Sequence, residues 1–162
     1  ITGGTIDSFY DGSKDTVVTS EKTAIPKFIE SLKLFDEFKF TQVCMKDSRS
    51  LDKDDRKKLL KEIEKSECDK IIITHGTYTM PDTAKFLEAN LKKKNQTIIL
   101  TGSMIPLMGF SPSDAPFNIG YSLAKVRDLP SGIYICMNGR ILTPGEAIKA
   151  IAEGRFYSVF EK

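Results

Sequence analysis

The stretch Lys70–Thr77, which reads KIIITHGT, decides the fold class. Its isoleucine run is typical of a short strand buried on both faces of a parallel sheet, and the small polar residues and glycine after it are typical of a strand end. Two similar runs, Thr97–Thr101 and Gly132–Met137, follow along the chain with room for one helix between neighbours. This alternation predicts a three-layer α/β domain with a mostly parallel, Rossmann- or flavodoxin-like sheet covered by helices on both faces.

The other elements are predicted from the same periodicities. One strand is expected over Phe40–Met45, and a first strand is expected to end at Thr2. The segment 7–19 is polar, contains glycine and has no clear period, which favours a lid or binding loop. The expected helices span residues 21–35, 52–65, 81–93, 116–126 and 145–152.

Length and composition favour one globular domain over residues 1–162. The hydrophobic share is 40%, the charged share is 28%, and the net charge is only +2. The lysine runs are interleaved with acids, as on solvated helix faces, and no nucleic-acid-binding signature accompanies them. No apolar stretch approaches the about 18 residues that a membrane span needs. We therefore expect neither a nucleic acid nor a membrane as partner.

The three cysteines, Cys44, Cys68 and Cys136, follow neither a disulfide-framework spacing nor a zinc-site spacing. Two of them lie inside apolar runs, where a free cysteine behaves as a small hydrophobic residue. This usage indicates a reducing compartment, so we expect a cytoplasmic protein.

Four predicted strand ends carry hydroxyls, glycines or charges. Because the carboxyl ends of parallel strands meet at one edge of the sheet, these segments are expected to share one pocket. A glycine there lets the backbone approach a ligand closely. The four strand ends are Thr2–Thr5, Asp47–Ser50, Thr74–Thr77 and Thr101–Ser103.

The sequence does not contain the residue patterns that several kinds of binding site and catalysis require. Neither GxGxxG nor a P-loop occurs, no cluster of metal ligands is present, and we expect no cofactor. His75 is the only histidine, and its ring can simply brace the turn beside Gly76. Threonine hydroxyls with a lysine base remain, a set suited to acyl transfer from an amide with backbone N–H groups stabilising the oxyanion.

Four motifs stand in order along the chain: Thr2–Ile6 (TGGTI), Ile73–Met80 (ITHGTYTM), Leu100–Pro106 (LTGSMIP) and Ser113–Asn118 (SDAPFN). They resemble the signatures of the bacterial-type L-asparaginase and glutaminase family, in the family's order and spacing. The resemblance extends to about Phe160 and implies the fold of that family's N-terminal domain. It also implies an amidohydrolase that releases ammonia from the side-chain amide of L-asparagine, or of a related carboxylate-bearing amide, through a threonine acyl-enzyme.

The resemblance implies roles for single residues. Thr5 matches the family nucleophile, Thr77 its second catalytic threonine, and Lys149 the lysine that partners Thr77. Without the resemblance, Lys149 would be interpreted as an exposed helix lysine. The candidate substrate-binding residues are Ser48 for a carboxylate, Ser103 for a backbone contact to the amide, Arg49, Gly76, Tyr78, and Tyr10 in the loop that carries a mobile tyrosine in some members.

Two residues depart from the family pattern. Tyr78 stands where the family has an aspartate that supports the lysine and receives the substrate's ammonium group, and a phenol carries no charge near neutral pH. Arg49 follows Ser48, and a guanidinium can hold a carboxylate through two hydrogen bonds. Together they suggest the hypothesis that the substrate keeps a carboxylate and an amide but lacks the ammonium group.

Family members are usually about twice this long and carry a C-terminal domain that this chain lacks, so a short member or a fragment is expected. Surfaces left uncovered favour a homodimer or a larger homo-oligomer. Two alternative functions stay open. Tyr78 favours a non-catalytic or regulatory small-molecule binder, and the architecture alone favours a nucleotide- or flavin-binding module.

Overall fold

The computed structural model describes residues 1–161. The strands are β1 (Ser8–Asp11), β2 (Thr16–Thr19), β3 (Lys70–Thr74), β4 (Thr97–Thr101), β5 (Gly132–Met137), β6 (Arg140–Leu142), β7 (Ala147–Ala150) and β8 (Arg155–Ser158). The helices are α1 (Ile25–Ser31), α2 (Lys53–Lys65), α3 (Met80–Asn90) and α4 (Ala115–Asp128). The prediction of one domain over residues 1–162 includes Lys162, which lies outside the described residues.

The central sheet has the strand order β3-β4-β5-β6. Strands β3, β4 and β5 run parallel, with Ile72 opposite Ile99 and Ile98 opposite Ile133, and β6 runs antiparallel to β5 at the edge. The three parallel strands have the bounds that their apolar runs predict. Continuous isoleucine runs are stable here because helices cover both faces of the sheet.

Alternate side chains of each strand enter two different cores. Ile98 and Leu100 of β4 pack with buried residues of α2 and α3, whereas Ile99 packs with Val126 of α4 on the opposite face. Helix α1 packs against the start of α4, where Ile25 is buried. The expected three-layer α/β class is therefore confirmed, as a mixed sheet.

The N-terminal segment extends the sheet beyond β3 without forming a regular strand. The Thr2 N–H donates to the Thr74 carbonyl over 3.0 Å, and the Val43 N–H donates to the Ile1 carbonyl over 2.9 Å. A single parallel bridge joins Gly3 to Lys46. The prediction of a strand over residues 40–45 is wrong in form, because pairing is limited to these isolated bonds.

Helix predictions over the middle of the chain hold within a few residues. Helix α2 begins after Asp52, whose carboxylate accepts from the Asp55 N–H over 2.9 Å in a capping box. Asp82 lies in the first turn of α3, as expected. The first helix is shorter than the expected range 21–35, since it spans only Ile25–Ser31, with Pro26 in its first turn.

Two predictions near the ends of the chain are wrong. The segment 7–19 is a β-hairpin, β1–β2, with Ser8 opposite Thr19. The range 145–152 holds no α-helix. Strand β7 pairs antiparallel with β8, and a single 3-10 turn at Ile151–Glu153 lies between them. The hairpin β7–β8 forms because it buries Ala147 and Phe156 in the core beside α3, a gain that a local helix would not provide.

Within residues 1–161, none of the helices is long and apolar enough to cross a membrane.

Candidate active site

Two glycine-containing strand ends meet in direct backbone contact. Gly4 has φ of +88°, and a Cβ atom at this position would lie 2.3 Å from the Cα atom of Gly76. Only glycine at position 4 permits both this conformation and this approach. Thr5 follows Gly4 and Thr77 follows Gly76, so the contact brings together the segments that carry the two threonines.

The amine of Lys149 contacts the hydroxyl of Thr77. The distance from Lys149 Nζ to Thr77 Oγ1 is 2.7 Å, although the residues are 72 positions apart in the chain. Lys149 occupies β7 and is half-buried, whereas Thr77 is buried. The Thr77 hydroxyl also lies 3.7 Å from the Met104 sulfur, a weak acceptor for its proton. The interpretation of Lys149 as an exposed helix lysine is thus wrong.

The surroundings of Lys149 favour its neutral form. Burial lowers the pKa of Lys149, the nearby Arg49 cation lowers it further, and Asp47 opposes the shift. A lysine with a lowered pKa has a larger neutral fraction near pH 7, and a neutral amine can accept a proton.

Thr5 lies on the wall of an open cleft. It begins a short 3-10 turn, Thr5–Asp7, and is half-buried. The cleft has a volume of about 650 Å³ and is bordered by Thr5, Met104 and residues of the hairpin β1–β2. Its rim also carries Asp47 and Arg49. Thr5 therefore borders a cleft that is large enough for a small molecule.

Arg49 is held by Asp47. Its Nε atom donates to Asp47 Oδ1 over 3.0 Å and its Nη2 atom to Oδ2 over 3.2 Å. The guanidinium carbon also lies 6.0 Å from the ring centroid of Tyr78, whose side chain is 53% exposed. Arg49 thus occupies the cleft rim as expected, but it shares its charge with an internal carboxylate.

Ser48 is buried between two other segments of the site. Its backbone carbonyl accepts from the Thr79 hydroxyl over 2.8 Å, and its side-chain oxygen accepts from the Thr79 N–H over 3.4 Å. A Cβ atom at Gly76 would lie 2.7 Å from the Cβ atom of Ser48. Ser48 therefore fixes the loop after β3, at the side of Gly76.

The segment Ser113–Asn118 holds the end of β4 in place. The Asp114 carboxylate accepts from the backbone N–H groups of Met104 and Ile105, at 2.9 Å from each. The Asn118 side chain donates to the Gly102 carbonyl over 3.0 Å. These bonds position Met104 beside Thr77.

Ser103 is buried beside this network. Its hydroxyl donates to the Ile105 carbonyl over 2.6 Å.

His75 and Tyr10 lie outside this constellation. The His75 ring is buried, and its Nδ1 atom is 2.7 Å from the Gly76 carbonyl, which identifies Nδ1 as the protonated nitrogen because a carbonyl can only accept. Tyr10 lies on β1, is exposed, and donates from its hydroxyl to Asp15, which raises the pKa of Tyr10. His75 thus braces the turn, and Tyr10 faces solvent on the hairpin.

Metal ligation finds no support in residues 1–161, where no group of three or more histidine, cysteine or acidic side chains is placed to hold an ion. The sequence placed the segment 7–19 and the strand end Asp47–Ser50 at the site, and both border the cleft. It gave no role to Met104 and no indication that Asp47 holds Arg49, because these depend on contacts that no motif contains.

Comparison with known protein families decides the kinship. The model of the asparaginase N-terminal domain matches residues 1–157. The chain belongs to the asparaginase family. The family assignment from the four motifs is confirmed.

Relatives of this asparaginase-family chain are L-asparaginases from several organisms. L-asparaginase 2 of Escherichia coli is 30% identical over 157 residues, which are 91% of this chain and 44% of the relative. A probable cytoplasmic L-asparaginase from Campylobacter jejuni is 27% identical with a TM-score of 0.82, covering 97% of this chain and 51% of that structure. The L-asparaginase of Thermococcus kodakarensis is 25% identical with a TM-score of 0.83, covering 99% and 50%. This chain thus spans about half the length of these relatives.

Proposed function

We propose that this chain carries the active site of an amidohydrolase that releases ammonia from the side-chain amide of L-asparagine or of a related carboxylate-bearing amide. The observation that carries the proposal is the 2.7 Å contact between the Lys149 amine and the Thr77 hydroxyl. Burial lowers the pKa of Lys149, which supports its use as a base. The asparaginase match over residues 1–157 supports the same reaction.

Thr5 is the proposed nucleophile. It lines the cleft, whereas Thr77 is buried, so a substrate reaches the Thr5 hydroxyl more easily. The Thr5 hydroxyl loses its proton as its oxygen attacks the amide carbon, and the neutral Lys149 amine accepts that proton through Thr77. The same proton is then returned to the amide nitrogen as the C–N bond breaks, so that an ester with Thr5 forms and ammonia leaves. Water then hydrolyses the ester, which releases the acid and restores the hydroxyl.

The substrate-binding roles of Ser48, Gly76 and Ser103 are part of this proposal. Ser48 lies against Gly76 at the contact between the strand ends, and Ser103 follows Gly102, where a Cβ atom would lie 2.3 Å from the His75 carbonyl oxygen. A role for Tyr10 requires the hairpin β1–β2 to turn the phenol from Asp15 toward the cleft. Val17 and Val18 of the same hairpin line the cleft, so a movement of this kind would also reshape its wall.

An ammonia-release assay on purified protein tests the hydrolase proposal. Thr5→Ala, Thr77→Ala and Lys149→Met should each lower kcat by about 10²- to 10⁴-fold, the usual contribution of an acid–base or nucleophilic group. Matched controls are Thr16→Ala and Lys61→Met, which change exposed residues of the same types on β2 and α2. Mass spectrometry should detect an acyl group on Thr5 after rapid quenching. Equal turnover by wild type and Lys149→Met would refute the proposal.

A non-catalytic small-molecule binder is the second candidate. The observation that favours it is Tyr78, which follows Thr77 in the chain and offers a neutral phenol where the family pattern has an aspartate. Binding of dicarboxylates without any ammonia release from either amide would identify this function.

A cytoplasmic, homo-oligomeric protein is proposed with this activity. Free thiols at Cys44, Cys68 and Cys136 suit a reducing compartment. The names of relatives include both a cytoplasmic and a periplasmic L-asparaginase, so the compartment is a property of each protein rather than of the family.

A further inference from the structure

The charges on the cleft rim are unevenly available to a ligand. Among the described residues that line the cleft, Asp47 is the carboxylate and Arg49 the cation. Both carboxylate oxygens of Asp47 accept hydrogen bonds from Arg49, and Oδ1 accepts a third from the Arg49 N–H over 2.8 Å. A carboxylate engaged in this way offers little to a second cation.

Arg49 keeps binding capacity of its own. It uses Nε and Nη2 for Asp47, and a guanidinium has five N–H donors, so the Nη1 group remains for a ligand. The guanidinium side chain is 69% exposed at the rim. A ligand carboxylate can therefore reach Arg49 without displacing Asp47.

Tyr78 extends this arrangement to the catalytic pair. It follows Thr77 in the chain, and the Arg49 guanidinium lies 6.0 Å from its ring centroid, within the range of a cation–π contact. Lys149 contacts Thr77 at 2.7 Å. An ammonium group on a substrate beside this pair would thus face a guanidinium and a neutral phenol, whereas a carboxylate would be attracted by the guanidinium.

We propose that the Arg49–Tyr78 pair makes the cleft selective for amides that carry a carboxylate but no neighbouring amino group, such as succinamate, over asparagine. The inference rests on the proposed function for its substrate class. Its test is binding, which does not depend on turnover. Succinamate and asparagine differ only in the amino group, as do succinate and aspartate, so each pair isolates the contribution of that charge.

Isothermal titration of the purified chain with succinate and aspartate measures the preference. Wild type should bind succinate at least about tenfold more tightly than aspartate, which corresponds to about 1.4 kcal/mol. Tyr78→Asp should reverse or abolish the preference by supplying a carboxylate beside Thr77, and Tyr78→Phe should keep it because the ring remains under Arg49. Arg49→Met should weaken succinate binding by about tenfold or more, the usual effect of losing a charged hydrogen bond.

Equal or tighter binding of aspartate by wild type would overturn the inference. That result is expected if the Asp47 carboxylate gives up its hydrogen bonds from Arg49 and accepts from the ammonium group of the ligand instead. Absence of binding by either dicarboxylate would overturn it as well.

Ammonia release separates the two proposals. Equal kcat/KM values for asparagine and succinamate would contradict the proposed selectivity but support the proposed hydrolase. Selective binding of succinate without ammonia release from either amide would contradict the hydrolase but support the selectivity. Circular dichroism checks that each variant is folded.

Discussion

At the scale of single residues, the pKa of Lys149 depends on two charged neighbours of opposite sign, Arg49 and Asp47. Substitution of either neighbour therefore tests the titration of Lys149. If its neutral amine is the base, kcat/KM rises with pH as Lys149 loses its proton, and the lowered pKa places this rise below the range of an ordinary lysine. Arg49→Met removes a cation, so the rise should move to higher pH. Asp47→Asn removes an anion, so it should move to lower pH.

The pH profile of kcat/KM for ammonia release measures these positions independently of the absolute rates. Lys61→Met, on the exposed face of α2, serves as the control for a distant charge. Shifts of both variants in the same direction would contradict the assignment of Lys149 as the titrating group.

The buried His75 links stability to pH. Desolvation lowers the pKa of His75 to about 4, from 6.5 in a solvated chain. Between these values the unfolded chain binds the proton and the folded protein does not, so the free energy of unfolding should decrease as pH falls from about 6.5 to about 4. The loss from this group should approach about 3 kcal/mol.

Urea unfolding at several pH values measures the loss, and the difference between wild type and His75→Gln isolates the histidine from the carboxylates. Because His75 is the only histidine, its ring resonances report the titration directly by NMR. A ring that titrates near pH 6.5 in the folded protein would show that this account of His75 is wrong.

At the scale of elements, the contact between the strand ends should tolerate no side chain. Gly4→Ala places a Cβ atom 2.3 Å from the Cα atom of Gly76 in a backbone with positive φ, and it should destabilise the protein by about 1–3 kcal/mol or more. Gly120 is the matched control, since it lies in α4 with no atom within 4 Å of a built Cβ. Gly120→Ala should stabilise by about 0.5–1 kcal/mol through helix propensity. Thermal unfolding measures both, and equal effects of the two substitutions would contradict the close packing.

Local sequence patterns predict some strands of this protein and not others. Strands β3, β4 and β5 have their predicted bounds because a strand buried on both faces is a local run of apolar residues. The hairpin β7–β8 was not predicted, because the segment around Ala147 and Lys149 is short and its residue types suit a helix equally well. Its pairing depends on contacts such as the Val159 N–H to the Glu146 carbonyl, at 2.8 Å, which no short window contains.

At the scale of the whole molecule, exposed apolar side chains predict self-association. Ile151 is 67% exposed at the closed end of the hairpin β7–β8, and Phe160 is 81% exposed beyond its open end. Burying these side chains against a second copy removes apolar area from water, so we expect a homodimer or larger assembly. Sedimentation at micromolar concentration should show it, and Ile151→Ser with Phe160→Ser should weaken it.

Phe35→Ser is the control for this prediction, since Phe35 is an exposed aromatic residue beyond α1. A monomeric wild type would contradict the expectation of self-association. If Phe35→Ser dissociates the assembly as strongly as the double variant does, the interface lies elsewhere.

The sequence by itself determined the α/β class, the three central strands, the family and the identity of Thr5, Thr77 and Lys149 as candidates, because each of these depends on a local pattern or motif. The family resemblance implied that Lys149 partners Thr77, and only the tertiary structure decided that it does so from a strand and at 2.7 Å. A contact across 72 residues of chain follows from how the layers pack rather than from any neighbouring residues.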